Sequence, residues 1–207
     1  GSGIFSRALV GTTILTILLT GVALTVVWAF WFFLPEAVRR MPEVKGWERP
    51  RVQALVGNVT IVSLLFNIVG NYFATYLAKF TGYRFAFAFL FLAGLVCFLW
   101  GFAHPLTMSR VYLAPAITSF FILGVFGLFP LYIPALFPTL VRTLGAGVTY
   151  NAGRLISAVG TFTTGTLMVE AGGPTQALWL ISFLYVPGIA VALLAPRPLS
   201  ESQGARP

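Results

Sequence analysis

Acidic residues are scarce in this sequence. It contains no aspartate and only five glutamates against 13 lysines and arginines, and charged residues of both signs make up 9% of its 207 residues. Soluble domains carry about 25% charged residues. With a mean hydropathy of +0.91, the sequence is instead typical of an integral membrane protein whose surroundings are a lipid bilayer.

Cysteine and histidine each occur once, as Cys97 and His104. A single cysteine excludes an intrachain disulfide, and one cysteine with one histidine cannot assemble a metal site. Neither a nucleophile elbow nor a phosphate-binding loop is present. The sequence therefore predicts a protein without enzymatic activity and without a bound metal or cofactor.

The net charge of +8 would suggest nucleic acid as a partner if the protein were soluble. Here the basic residues lie between or beside apolar stretches, so anionic lipid headgroups are the expected neighbours and nucleic acid is not. Charge does not orient the chain, because six lysines or arginines fall on each predicted side of the membrane.

Apolar stretches of membrane-spanning length occur six times. They predict an all-α membrane protein with a six-helix bundle over residues 8–195. Residues 1–7 are expected to be a linker or an added end, and residues 196–207 a disordered polar tail. The predicted spans are 8–34, 52–78, 85–103, 111–134, 144–169 and 176–195.

One arginine lies deep in the fifth predicted span. Arg154 comes ten residues after Leu144, about 15 Å along a helix axis and roughly half of a ~30 Å hydrocarbon core. A charge at that depth costs at least ~2.5 kcal/mol, so Arg154 is expected to face a bundle interior or a watery cavity. Tyr150 and Asn151 belong to the same polar face of this helix.

The second predicted span also has a polar face. Thr60, Ser63, Asn67 and Asn71 follow one another at intervals of three or four residues. Asn67 and Asn71 either line a cavity or join helices by hydrogen bonds. In the first span, Trp28 and Trp31 are candidate cavity walls, and a belt of aromatic residues at the membrane interface is the alternative.

A distinctive run of residues follows the fourth span. The residues Phe137-Pro138-Thr139, Arg142, Gly145 and Gly147, then Tyr150-Asn151-x-Gly153-Arg154, resemble the segment that joins the tenth and eleventh helices of major facilitator superfamily transporters. The closest resemblance is to the metabolite:proton symporters for organic acids and sugar acids. It implies that the chain is the C-terminal six-helix half of a twelve-helix transporter, and that an N-terminal half is its partner.

The resemblance also implies a gating loop. Gly82 and Arg84 match the family's loop between the second and third helices of a half, but Lys79 stands where the family has an acid, so the usual charge relay is not expected to be intact. Arg142, in the connection between the fourth and fifth predicted spans, is the other basic residue assigned to the gating loops. The family further implies a plasma or inner membrane location with both termini cytoplasmic and residues 35–51 outside.

A short internal sequence repeat indicates that the chain consists of two related structural units. Pro-x-x-Val-Arg occurs at residues 35–39 and 138–142, and each copy is followed by a helix that opens with Val-Thr. Two three-helix units are predicted, the second inverted relative to the first, as in half of a major facilitator fold. Such repeats place the substrate near the membrane midplane at their interface.

The predicted function is secondary active transport of a small metabolite by alternating access, with an organic or sugar acid and proton coupling implied by the resemblance. No carboxylate lies well inside a span, so the proton carrier would come from the missing half. Arg154 would attract an anionic substrate or an acidic partner, or else brace helix ends. The alternative is a homo-oligomeric six-helix channel or small carrier that acts without a second half.

Overall fold

The computed structural model describes residues 3–199, apart from the side chains of Leu167 and Val169, and these residues contain helices and no strands. Short 3-10 turns occur at Pro42–Val44, Thr139–Val141 and Ser182–Leu184. The helices are α1 (Val10–Arg39), α2 (Arg49–Thr81), α3 (Tyr83–Gly101), α4 (Leu113–Ala135), α5 (Arg142–Glu170), α6 (Pro174–Ile181) and α7 (Tyr185–Leu194).

Five helical segments in the described part are long and apolar enough to cross a membrane: α1, α2, α3, α4 and the stretch Pro174–Leu194. The chain is therefore an all-α, multi-pass integral membrane protein. The remaining predicted span forms α5, which has 29 residues but is not among these five. Its arginine, asparagine and threonine residues lower its hydropathy, so it is the helix least suited to face lipid.

The first predicted span ends too early. It was expected to end at Leu34, whereas α1 continues through Pro35 to Arg39. A proline inside a helix removes one backbone hydrogen bond. Beyond it, the Arg40 guanidinium bonds the Glu36 carboxylate at 2.9 Å across one helical turn, and this i,i+4 pair supports the extension.

The ends of the predicted bundle also need correction. Residues 3–7 are not a free linker, because Ile4 is buried and its carbonyl accepts a hydrogen bond from the Thr13 hydroxyl at 2.8 Å. The predicted tail likewise begins packed, since the Pro196 carbonyl accepts a hydrogen bond from Tyr132 Oη at 2.7 Å. Residues 1–2 and 200–207 lie outside the described residues.

Consecutive long helices run in alternate directions. At one end of the bundle, the Met108 backbone N–H donates to the Glu43 carboxylate at 3.3 Å and joins the α1–α2 and α3–α4 connections. At the other, Arg84 Nε donates to the Ala195 carbonyl at 2.6 Å and joins the α2–α3 turn to the segment after α7. We call these the α1–α2 end and the α2–α3 end.

Two pairs of parallel helices pack closely through glycine. In the α1–α5 pair, a Cβ at Gly153 would collide with the Thr20 side chain. In the α2–α4 pair, a Cβ at Gly70 would collide with the Phe120 carbonyl oxygen. Without a hydrophobic force between helices in lipid, such small residues permit close backbone contact and the dispersion energy that accompanies it.

Helix α3 connects these pairs to α7 through an aromatic core. Phe87 stacks on Phe129 of α4 with 5.6 Å between ring centroids, and Phe91 stacks on Tyr185 of α7 at 4.9 Å. One face of α3 is thus fully buried.

The helix of the last span is broken just before a proline. The 3-10 turn Ser182–Leu184 interrupts this span and ends three residues before Pro187. Proline cannot donate a backbone hydrogen bond to the carbonyl four residues earlier, here Phe183, and its ring clashes with that carbonyl. The break therefore lies just before the proline.

Candidate functional site

Arg154 lies in the middle of α5. At 1.5 Å per residue it is about 18 Å from Arg142 at the start of the helix and about 24 Å from Glu170 at its end. Its side chain is exposed. Within residues 3–199, no hydrogen bond or ion pair involves its guanidinium group, and the ion pairs there are those of Glu36 with Arg39 and Arg40.

A groove of about 760 Å³ runs between α1 and α5 and includes Arg154. Its walls are mostly aromatic and aliphatic, with few polar groups. The lining residues are Trp28, Phe32, Phe33 and Glu36 of α1, and Arg154, Ser157, Ala158, Thr161, Phe162, Gly165 and Met168 of α5.

The charged groups of the groove lie at its two ends. Gly21 of α1 faces Ile156 of α5, so Arg154 lies near the level of Gly21. Glu36 is 15 residues further along α1, which is about 22 Å at 1.5 Å per residue. The groove thus has a cation near the middle of the bundle and a carboxylate near the α1–α2 end, with a mostly apolar surface and the residues Ser157 and Thr161 between them.

Glu36 was not predicted as a groove residue. Ending the first helix at Leu34 placed it in a solvated loop, whereas α1 carries it along the groove. The carboxylate bonds Arg40 at 2.9 Å and lies 3.6 Å from Arg39. The i,i+4 spacing of Glu36 and Arg40 was the sequence signal that could have extended the helix.

Two hydroxyls of α5 lie beside Arg154 along the groove. Ser157 Oγ donates to the Arg154 carbonyl at 2.7 Å and is occupied within the helix. Thr161 Oγ1 is buried and, in the part of the chain that the structure describes, has no hydrogen-bond partner. A buried hydroxyl without a partner is costly.

Tyr150 and Asn151 line a second groove of about 320 Å³, between α4 and α5. Pro130 and Pro134 form its other side, where each proline removes a backbone bond of α4. The Asn151 side-chain amide donates to the Gly147 carbonyl at 2.8 Å. Arg154 does not line this groove, so the predicted polar face of α5 divides between two openings.

The two asparagines of α2 lie together but apart from Arg154. Asn71 Nδ2 donates to Asn67 Oδ1 at 2.8 Å, and the Asn71 backbone carbonyl lies close to Gly127 of α4. Both side chains are half-buried. Trp31 is half-buried too, with its ring edge-on to Phe30 at 5.3 Å, and only Trp28 of the two tryptophans lines the groove.

The predicted gating residues lie at the α2–α3 end. Gly82 has φ of 80°, a conformation that favours glycine, and it joins α2 directly to α3. Lys79 is exposed, and Arg84 caps the end of α7 through the Ala195 carbonyl. Arg142 Nε donates to the Phe137 carbonyl at 3.4 Å across the α4–α5 connection.

No three histidine, cysteine, aspartate or glutamate side chains converge within residues 3–199. Comparison of the chain with protein-family models, curated proteins and solved structures finds no match of any of the three kinds.

Proposed function

We propose that this chain is one half of a secondary transporter that moves a small anionic metabolite, an organic or sugar acid, across the membrane by alternating access. The observation that carries the proposal is Arg154, a guanidinium at the middle of α5 that opens on the α1–α5 groove without a described acidic partner. Guanidinium stays ionised when it is buried, and it binds a carboxylate through two parallel hydrogen bonds.

The depth of Arg154 supports a role in transport rather than anchoring. Arginines that anchor a helix lie near its ends, where the side chain reaches the headgroups. From the middle of α5 the side chain is too far from either end to do so. A charge at this depth is accommodated when it faces a partner or water, and both are present in a substrate path.

Helix packing supports the inverted repeat. The closely packed pairs are α1 with α5 and α2 with α4. In an inverted repeat α1 corresponds to α4 and α2 to α5, so the repeat relates one of these pairs to the other. Gly21 of α1 and Gly124 of α4 are 103 residues apart, as are Pro35 and Pro138, and both glycines lie at a close helix crossing. In such repeats substrate binds near the midplane.

The exposed face of α5 supports the need for a second half. Asn151 and Arg154 are exposed, and α5 falls outside the five segments apolar enough to span a membrane. Exposing these polar and charged side chains to lipid would cost free energy. An N-terminal six-helix half that covers this face would supply the other wall of the path and, under the proposal, the carboxylate that carries the proton.

A second copy of this chain could cover the same face, which keeps the homo-oligomeric channel or small carrier as the alternative. Reconstitution distinguishes the two. We expect vesicles that contain this chain alone to take up no radiolabelled organic acid, and vesicles that contain it joined to its other half to do so in response to a pH gradient. Uptake by the isolated chain as a symmetric oligomer would favour the alternative.

Substrate protection of the groove is a further prediction. Cys97 is the only cysteine, so a Cys97→Ser chain provides a background for single labels. In the complete transporter, we expect a saturating transported acid to slow the alkylation of Phe162→Cys several-fold, because Phe162 lines the groove with Arg154. Labelling is followed by the mass shift of the protein with time.

Leu155→Cys is the matched control, since Leu155 is exposed on α5 but does not line this groove. Its labelling rate should not change when the acid is added. Equal protection at both positions, or at neither, would remove the groove from the substrate path.

A further inference from the structure

A pocket of about 400 Å³ lies at the α2–α3 end of the bundle, away from the α1–α5 groove. It forms where the turn between α2 and α3 meets the segment that follows α7. Arg84 and Arg197 contribute the charged groups of its lining, and Thr81 contributes a hydroxyl.

Hydrogen bonds hold the walls of this pocket in place. Arg84 Nε donates to the Ala195 carbonyl at 2.6 Å, and Tyr132 Oη donates to the Pro196 carbonyl at 2.7 Å. The turn on the opposite side is fixed by Gly82, whose φ is 80°. The segment that carries Arg197 is thereby fastened to α3 and α4, so the pocket is formed before any ligand arrives.

The arginines retain most of their hydrogen-bonding capacity. A guanidinium carries five N–H donors, and Arg84 uses the one on Nε for the Ala195 carbonyl. Among residues 3–199, no bond or ion pair is formed by the terminal nitrogens of Arg84 or by Arg197. Both side chains are therefore able to bind an anion with a fork of N–H groups.

The α2–α3 end carries positive charge and, in the described part of the chain, no negative charge. Glu36, Glu43 and Glu48 lie around the α1–α2 connection, and Glu170 ends α5 at the same α1–α2 end. The basic residues of the α2–α3 end are Arg7, Lys79, Arg84, Arg142 and Arg197. An anion that enters the pocket therefore meets no described carboxylate.

Apolar side chains continue from the pocket onto the outer surface of the bundle. Phe85 and Leu193 line the pocket and are 51% and 55% exposed, and the neighbouring Leu194 is 64% exposed. Because these residues belong to helical segments apolar enough to span a membrane, we expect their exposed surface to face acyl chains. A headgroup in the pocket would thus be continuous with acyl chains on Phe85 and Leu193, whereas a free phosphate ion would make no use of this surface.

From this combination we propose that the pocket between the α2–α3 turn and the segment after α7 binds the phosphate of an anionic phospholipid headgroup. Arg84 and Arg197 bind the phosphate oxygens, and Phe85 and Leu193 pack against the acyl chains. Basic pockets between membrane-spanning helices are suited to anionic lipid headgroups. The bound lipid joins α3 to the C-terminal segment. This pocket shares no lining residue with the α1–α5 groove.

Native mass spectrometry of the full chain, titrated with phosphatidylglycerol or with phosphatidylcholine, tests the proposal. We expect phosphatidylglycerol to bind more tightly, and Arg197→Gln to weaken its binding about fivefold, since one basic residue near a membrane surface contributes ~1 kcal/mol. Arg197→Lys should recover part of the loss because it keeps the charge. Arg197 has no described partner, so its replacement leaves the fold intact.

Arg49→Gln is the matched control, because Arg49 is also exposed but lies at the α1–α2 end. It should leave phosphatidylglycerol binding unchanged. Equal losses in Arg197→Gln and Arg49→Gln would overturn the proposal, as would equal binding of the two lipids. Inorganic phosphate forms a further arm: complete displacement of the lipid by inorganic phosphate would assign the pocket to a free phosphate ion instead.

Discussion

Replacing Arg154 by alanine should reduce uptake of an anionic substrate by about 100-fold in the complete transporter, since charge-assisted hydrogen bonds contribute up to ~3 kcal/mol. The guanidinium is the cation of the α1–α5 groove, and without it the carboxylate of the substrate would enter an apolar site unpaired. Arg154→Lys should retain part of the uptake because it keeps the charge but loses the planar fork. Initial rates of radiolabelled acid uptake into vesicles measure the effect.

Arg49→Ala is the matched control for this substitution. Arg49 is an exposed arginine at the start of α2 and does not line the groove, so its removal should leave uptake near the unmodified level. Protein amount and thermal stability are measured for each variant, which separates lost binding from lost protein. Normal uptake by a folded Arg154→Ala protein would contradict the proposed role of this side chain.

Replacing Gly70 by alanine should lower the thermal stability of the bundle more than any surface substitution. The new Cβ would overlap the backbone carbonyl of Phe120, and a backbone atom cannot move aside as a flexible side chain can. Overpacking of this kind costs about 1–3 kcal/mol. For a chain of this size each kcal/mol shifts Tm by about 2–4 °C, so a decrease of about 2–12 °C is expected.

Gly57→Ala provides the control in the same helix. A Cβ at Gly57 has no neighbouring atom within 4 Å, and alanine favours a helix by ~1 kcal/mol over glycine. Its Tm should therefore stay level or rise. Thermal unfolding of both variants in the same detergent, followed by tryptophan fluorescence, makes the comparison, and a Gly70→Ala protein as stable as Gly57→Ala would show that the α2–α4 crossing is not close packed.

The sequence alone determined that this is a multi-pass helical membrane protein. Long apolar stretches must form helices in lipid, where every backbone polar group needs an internal partner, so hydropathy locates them without any tertiary information. It also singled out Arg154, because a charge in the middle of such a stretch is recognisable from the sequence itself. The function inferred from these features stays a prediction.

Helix ends were harder to predict because they depend on side-chain pairing as well as hydropathy. Pro35 was taken as the end of the first helix, but α1 continues through it, and Glu36 pairs with Arg40 one turn later. That extension of α1 brought Glu36 into the groove. The residues after α7 were also misjudged, since a polar sequence gives no sign of Arg84 and Tyr132 bonding their carbonyls.

Only the tertiary structure decided which polar residues lie together. Helical spacing placed Tyr150, Asn151 and Arg154 on one face of α5, yet α4 borders the first two and α1 borders the third. That division depends on the angle and register at which three helices cross, and the register of α1 on α5 is set by glycine contacts between residues more than 100 positions apart. A helix carries its own periodicity in its sequence, but the identity of its neighbours is a property of the packed bundle.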